Sequence, residues 1–457
     1  MKKNDYILLL IIIIIAAFLR FYHLEDRLSF DWDQENFAWH AKEMIIDHKF
    51  TLLGTNTSIG GMYLGPFYTY LSNLFYFVFR MNPIAGGVLS IVFGLLTIAA
   101  FYFLNLSIFN RGVALISALL YTFSFSMIQW DLIAWNPAPF FLYTLVIFYF
   151  LLKSLKDIKK LPFLSFLFGL GLHIHLASIT LFPFFILPLA INKTQRVKYW
   201  FYSFLTFLLA IAPLIIFDFR HNFHNSKQFI GFLFQQGNLV GGAKFQFGRV
   251  AEMVGNGTFS FLTSELPPKI KDLVLPLLWL SVLAAYLVSS KKIRGILTLI
   301  FALGIFTFLF FSIYPGLVLE YYLMIFIPLA IITFSVFLEK VFLHNFLTKF
   351  IFLLLAFFFL YFNLSSWLKY DKVLSLKDKD EAVKFIVNDA QGKPFRISLT
   401  TALGYDTGYR YLFWYHKANL STDVKDKVYT IVAPVGVYGI KPFKEFHGVG
   451  VLWEEGQ

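Results

Sequence analysis

The sequence predicts an all-α polytopic membrane protein of about eleven transmembrane helices, followed by a small α/β domain. Three observations predict it. Of 457 residues, 58% are apolar and 14% charged, with a mean hydropathy of +0.67, whereas soluble domains carry about 25% charged residues. Apolar stretches recur at the length a helix rising 1.5 Å per residue needs to cross roughly 30 Å of hydrocarbon. Beyond residue 370 the composition turns charged and alternating. Together these disfavour a soluble enzyme, a disordered chain and, despite a net charge of +12, a nucleic-acid-binding domain.

Eleven stretches have the character of spans: 6–22, 83–108, 112–130, 137–152, 161–176, 177–191, 200–217, 273–290, 295–313, 321–338 and 350–367. The fifth and sixth are short. Met-Lys-Lys before an apolar run has the layout of a signal peptide, but Ala16, Ala17 and Phe18 form no small-x-small cleavage site, so the run reads as the first span. The absence of cysteine excludes disulfides and thiolate chemistry.

Basic residues orient the chain. With a cytoplasmic amino terminus, the inside segments 1–5, 109–111, 153–160, 192–199, 291–294 and 339–349 hold 15 Lys or Arg against three acids, the bias of a cytoplasmic face. The opposite face of the cell membrane then receives residues 23–82, 218–272 and a tail from 368 to 457. A module of residues 1–369 is thus followed by an extracytoplasmic domain, 370–457. That domain has a charged helical stretch at 376–390 and strand-like runs at 395–400 and 429–432.

Ionisable residues are scarce in the spans, Arg20 and His173 lying near predicted outer ends. Ion-coupled transporters usually need intramembrane charge, so this distribution favours chemistry at the outer interface. The first outer loop begins Ser29-Phe30-Asp31-Trp32-Asp33-Gln34-Glu35 and continues into an amphipathic helix with Phe37, Ala41, Met44 and Ile45 on one face. Asp31 and Gln34 have capping-box spacing, and acids in a first turn answer the helix dipole. Two aspartates at a membrane surface also suit a general base that takes a hydroxyl proton.

Several motifs carry a family likeness. Phe18-Leu19-Arg20, Asp33-Gln34 with its helix, Gly65-Pro66-Phe67-Tyr68, Trp135-Asn136-Pro137, Asp218 to Asn222 and Glu320-Tyr321-Tyr322 resemble polytopic GT-C glycosyltransferases. The branch is that of protein O-mannosyltransferases and lipid A aminoarabinose transferases. The resemblance implies transfer of a sugar from a polyprenyl-phosphate carrier, without a nucleotide sugar, to a protein, lipid or envelope-glycan acceptor on the outer face. It implies inversion, with Asp33 as base ahead of Asp31. Many relatives carry Asp-Glu where this chain has Asp33-Gln34, and Asp where it has Asn136; no cofactor is expected to be required, a divalent cation being the alternative.

A leaving phosphate gains most from cations, and an Arg fork grips two of its oxygens. Arg220, beside His221, is the expected clamp, with snorkelling as the alternative. Gln34, Asn136, Arg20, Glu320, Tyr321 and His175 complete the expected substrate-binding set. Of these, Arg20 could equally pair with a loop acid, Glu320 could start a helix, and His175 could simply pack. No P-loop or dinucleotide-binding glycine pattern opens a helix. The rival readings are a lipid or sugar transporter without chemistry and a noncatalytic scaffold.

Overall fold

The computed structural model describes residues 3–57, 60–191, 196–234, 246–343, 345–437 and 439–455. Among the described residues, five helices are long and apolar enough to cross a membrane: Lys3–Phe21, Ala85–Ile108, Pro268–Val288, Lys291–Ser312 and Phe346–Lys369. Two further spans are bent, Arg111–Phe123 with Phe125–Asp131 by 70° and Val197–Ala210 with Ala212–Arg220 by 64°. Phe140–Lys156 and Phe326–Phe342 are apolar helices of 17 residues each.

The expected fifth and sixth spans are corrected. Leu161–Gly171 is a helix of 11 residues, about 16 Å and half a bilayer, followed by a 3-10 segment, Leu176–Phe185, and a short helix, Ile186–Ile191. Pro183 cannot donate to an α-helical ladder, which disfavours a continuous helix there.

The bends are chemically closed. At Ser124 the backbone turns extended, its hydroxyl accepts from Met127 N (3.3 Å), and Asn363 Oδ1 from the last long helix accepts from Phe125 N (2.7 Å). Both donors would otherwise be orphaned where no water reaches them. Leu353, Phe357 and Phe358 stay exposed on Phe346–Lys369, a surface suited to lipid.

Contacts group the loops by face. Arg111 pairs with Asp5 at 3.0 Å, and Asn110 Nδ2 donates to Glu339 at 3.1 Å, gathering the segments expected inside. At the other end of the first span the tail closes over the first loop. Its sheet comprises β1 (Arg396–Thr401), β2 (Val428–Ala433), β3 (Lys444–Phe446) and β4 (Val449–Glu454) in the order β1-β2-β4-β3. The β1–β2 pair is parallel and the others antiparallel.

Helix Leu376–Ala390, capped by Ser375 with Asp378, packs against the sheet. Leu28, Phe30 and Phe37 of the first loop share one buried cluster with Val383, Ile386, Tyr411, Tyr429 and Ile431 of the tail. The tail therefore rests on the loop through continuous apolar packing.

Candidate active site

Helix Trp32–Ile45 begins at Asp31, where the expected capping contact forms: Asp31 N donates to Gln34 Oε1 at 3.0 Å. The other side of the Gln34 amide donates to Ala134 O at 2.9 Å, bolting the first loop to the loop that carries Asn136. There Asn136 Nδ2 donates to Ile174 O at 2.7 Å. These contacts tie three loops together. Gln34 uses both ends of its amide in these contacts, and Asn136 uses one N–H of its own.

The two aspartates part company. Asp31 is ion-paired with Lys379 of the tail at 2.6 Å, and that lysine is wholly buried. Asp33 is half-buried and, among the described residues, its carboxylate meets no hydrogen-bond donor or cation. Burial first, and the charge of Asp31 second, push its carboxyl above the usual range. A carboxylate so placed is a stronger base than one in water.

Asp33 lies close enough to Tyr68 and Tyr321 for its charge to act on both phenols. Tyr321 belongs to an aromatic cluster. Trp130 stacks on Trp135 (5.6 Å between ring centres), Trp135 meets Tyr321 at 5.1 Å, and His175 meets Tyr321 at 5.4 Å and Tyr322 at 5.1 Å. His175 Nδ1 accepts from Ala177 N at 3.1 Å, which in the neutral ring leaves the proton on Nε2. The buried Trp135 indole N–H has no acceptor among the described residues.

Beside Trp130 opens a cavity of about 450 Å³, lined among others by Arg249, Glu252, Lys271 and Glu320. It shares Val254, Thr258 and Phe326 with an apolar pocket of about 320 Å³ walled by Trp279, Ile300 and Leu329. A cavity with charged residues in its lining thus adjoins an apolar slot between helices.

Arg220 and His221 stand apart. Both are exposed at the end of Ala212–Arg220, and no described contact joins either to Asp33, Tyr321 or Glu320. The neighbouring Asp218 binds Asn225 N (2.8 Å) and Ser226 N (3.1 Å), capping the next helix, while His221 stacks on Phe217 at 4.1 Å. Arg20 is also corrected. It is fully buried, pairs with Asp131 at 2.7 Å and donates to three backbone carbonyls, so no part of it faces a substrate.

Sequence reasoning missed Lys379, Arg249, Lys271 and the buried Glu35, which accepts from Gly408 N (2.7 Å) and Tyr411 N (2.8 Å). Glu35 left a signal as an acid in a helix's first turn, and Arg249 and Lys271 left one as cations in the loop 218–272. Among the described residues no three His, Asp or Glu side chains gather where a metal could be held.

Residues 64–217 match the family model of dolichyl-phosphate-mannose-protein mannosyltransferases. The structure is similar to ArnT from Cupriavidus metallidurans bound to undecaprenyl phosphate, with a TM-score of 0.63 and 12% identity over 99% of this chain and 98% of that one. Its apo state gives 0.60, again at 12% identity and over 99% and 98% of the two chains. The oligosaccharyltransferase of Archaeoglobus fulgidus in its apo form gives 0.51 at 13% identity, covering 94% of this chain and 70% of that one. No curated protein sequence matches the chain. The chain has the GT-C glycosyltransferase fold its motifs implied, and it is a multi-pass membrane protein.

Proposed function

We propose that this chain is a membrane glycosyltransferase that moves a sugar from a polyprenyl-phosphate carrier to a hydroxyl acceptor at the extracytoplasmic face. The observation that carries the reading is Asp33, a half-buried carboxylate without a partner among the described residues, whose charge reaches Tyr321 of the aromatic cluster; Glu320, next to Tyr321 in the chain, lines the larger cavity. The mannosyltransferase family match and the undecaprenyl phosphate in the ArnT structure support the donor class.

In the proposed reaction, Asp33 takes the acceptor's hydroxyl proton as that oxygen attacks the anomeric carbon. The bond from that carbon to the phosphate oxygen breaks, its electron pair leaves on the phosphate, and the sugar inverts. Arg249 and Lys271, which line the larger cavity, are the cations assigned to offset the growing phosphate charge, in preference to the outlying Arg220. The apolar slot suits the carrier chain, and aromatic faces suit a sugar ring. Because a lipid phosphate is already a competent leaving group, no metal is required; undiminished turnover in EDTA checks this.

Release of polyprenyl phosphate from the donor, dependent on Asp33, is the deciding experiment. A transporter would move the lipid and leave the carrier bond intact. Orientation in the cell membrane rests on the basic bias of the assigned inside. In this cysteine-free chain, Ser421→Cys should react with an impermeant thiol reagent from outside and Lys159→Cys should not; the reverse would invert the topology.

A further inference from the structure

Lys379 is the most deeply buried cation of the tail, and its surroundings concern the proposed site more than the tail itself. Its ammonium has three donors and meets three acceptors: Phe30 O at 2.9 Å, Asp31 Oδ1 at 2.6 Å and Thr407 O at 3.0 Å. The Tyr409 ring lies 5.3 Å away. Two of the acceptors immediately precede the helix that carries Asp33. The third immediately precedes Gly408, whose N–H binds Glu35.

The first turn of Trp32–Ile45 is therefore gripped on both sides of Asp33, at Phe30 and Asp31 by Lys379 and at Glu35 by the N–H groups of Gly408 and Tyr411. Leu376 N adds a bond to Leu28 O at 2.8 Å. Gly408 has a φ of +92°, and a Cβ there would collide with Phe30 O, so the tail reaches this turn through backbone that only glycine allows.

We propose that Lys379 is a positioning residue of the active site, through which the C-terminal domain holds Asp33 in place and neutralises the carboxylate beside it; this rests on the glycosyltransferase reading above. Apolar packing alone would attach the tail. A buried ammonium is costly unless every donor is satisfied, and this one is satisfied largely by the loop. The charged and titratable groups facing the pair are Lys372, Asp378 and Tyr409 around Asp31 and Lys379, with Tyr68 and Tyr321 facing Asp33. None of these five supplies the hydrogen-bonded cation that Asp31 has in Lys379.

The test uses the full chain in lipid nanodiscs. Polyprenyl-phosphate sugars extracted from cells that carry the gene natively are the probe, and released carrier is the readout. Lys379→Met should lower kcat by about tenfold or more, because small displacements of a reacting group are costly, with KM for the donor changed by less than about threefold. Its acid limb of kcat against pH should move to higher pH, since Asp31 is then an uncompensated negative neighbour of Asp33. Asp31→Asn with Lys379→Met removes both charges, so the limb should return downward while kcat stays low.

A Lys379→Met protein with wild-type kcat and limb overturns the proposal. A lower kcat with an unmoved limb in both variants overturns the electrostatic part. If Lys379→Met does not fold, Asp31→Asn must still move the limb down. If the wild type releases no carrier, the glycosyltransferase reading falls. The clamp is then judged by hydrogen exchange of residues 28–36, which Lys379→Met must accelerate.

Discussion

Two ion pairs, each with a wholly buried cation, differ in whether the described residues complete their surroundings. In the helix bundle, Asp131 takes Arg20 on one oxygen and the Tyr121 hydroxyl on the other, both at 2.7 Å, and the rest of the guanidinium meets the carbonyls of Ala16, Tyr121 and Thr122. Where the C-terminal tail meets the first loop, Lys379 completes Asp31, but Asp33, two residues on, is left half-buried and without a partner among the described residues. An intramembrane charge is by default a functional candidate. Here the pair within the helix bundle is closed on itself and the cluster at the first loop is open, so the unpaired group, not the deepest one, is the candidate for chemistry.

The largest effect that separates the two clusters is on turnover. General-base assistance is worth about 100 to 10,000-fold. Asp33→Asn should lose turnover of that order, with yield and donor binding unchanged, as measured by carrier release and by retention of donor lipid on the purified protein. Full activity in Asp33→Asn would dismantle the contrast.

The closed cluster should fail in the other currency. Arg20→Met alone leaves a buried carboxylate uncompensated, and breaking such a pair costs about 3–5 kcal/mol. Arg20→Met with Asp131→Leu removes both charges and should recover most of that loss in thermal unfolding in detergent. If the folded double variant has wild-type turnover per molecule, Arg20 is structural; a folded double variant without activity would return Arg20 to the site.

A third comparison sets Arg249 and Lys271, which line the larger cavity, against Arg220, which does not. Arg249→Ala and Lys271→Ala should each raise KM for the donor by roughly tenfold, the loss of a charge-assisted hydrogen bond, while Arg220→Ala should change it by less than about twofold. The opposite order would restore Arg220 as the phosphate clamp.

What the sequence made legible follows from the range of the forces involved. Spans are written in composition, so most apolar stretches appear in the structure as helices. Bends are not. Hydropathy is blind to a 70° turn at Ser124, which depends on Asn363 supplying an acceptor from 239 positions away, counting from Ser124. The Asp31–Gln34 cap was legible because it is local. The Asp31–Lys379 pair spans 348 positions and left no spacing to read. The sequence could set Asp33 ahead of Asp31 only by family likeness and Asp31's capping spacing; only the fold supplies a cation to one and burial to the other.

The smallest predicted effect tests whether Asp33 is held at a cost. Its carboxyl titrates above the ordinary carboxylate range when folded, so between the unfolded and folded values the native state binds more protons than the unfolded chain. Its contribution is therefore fully present below the unfolded value and is lost as pH rises through the folded one. At neutral pH the wild type carries the whole penalty. Asn has no charge to desolvate, so Asp33→Asn should unfold at a slightly higher temperature than wild type at pH 7, by about 1 kcal/mol or less after allowing for solvent screening, and the gain should vanish at low pH. Activity should follow the same titration in reverse, falling as acid protonates the base. A variant that is less stable at pH 7, or whose advantage grows in acid, would mean that Asp33 has a stabilising partner in the folded protein, and the open cluster would then be as closed as the one around Arg20.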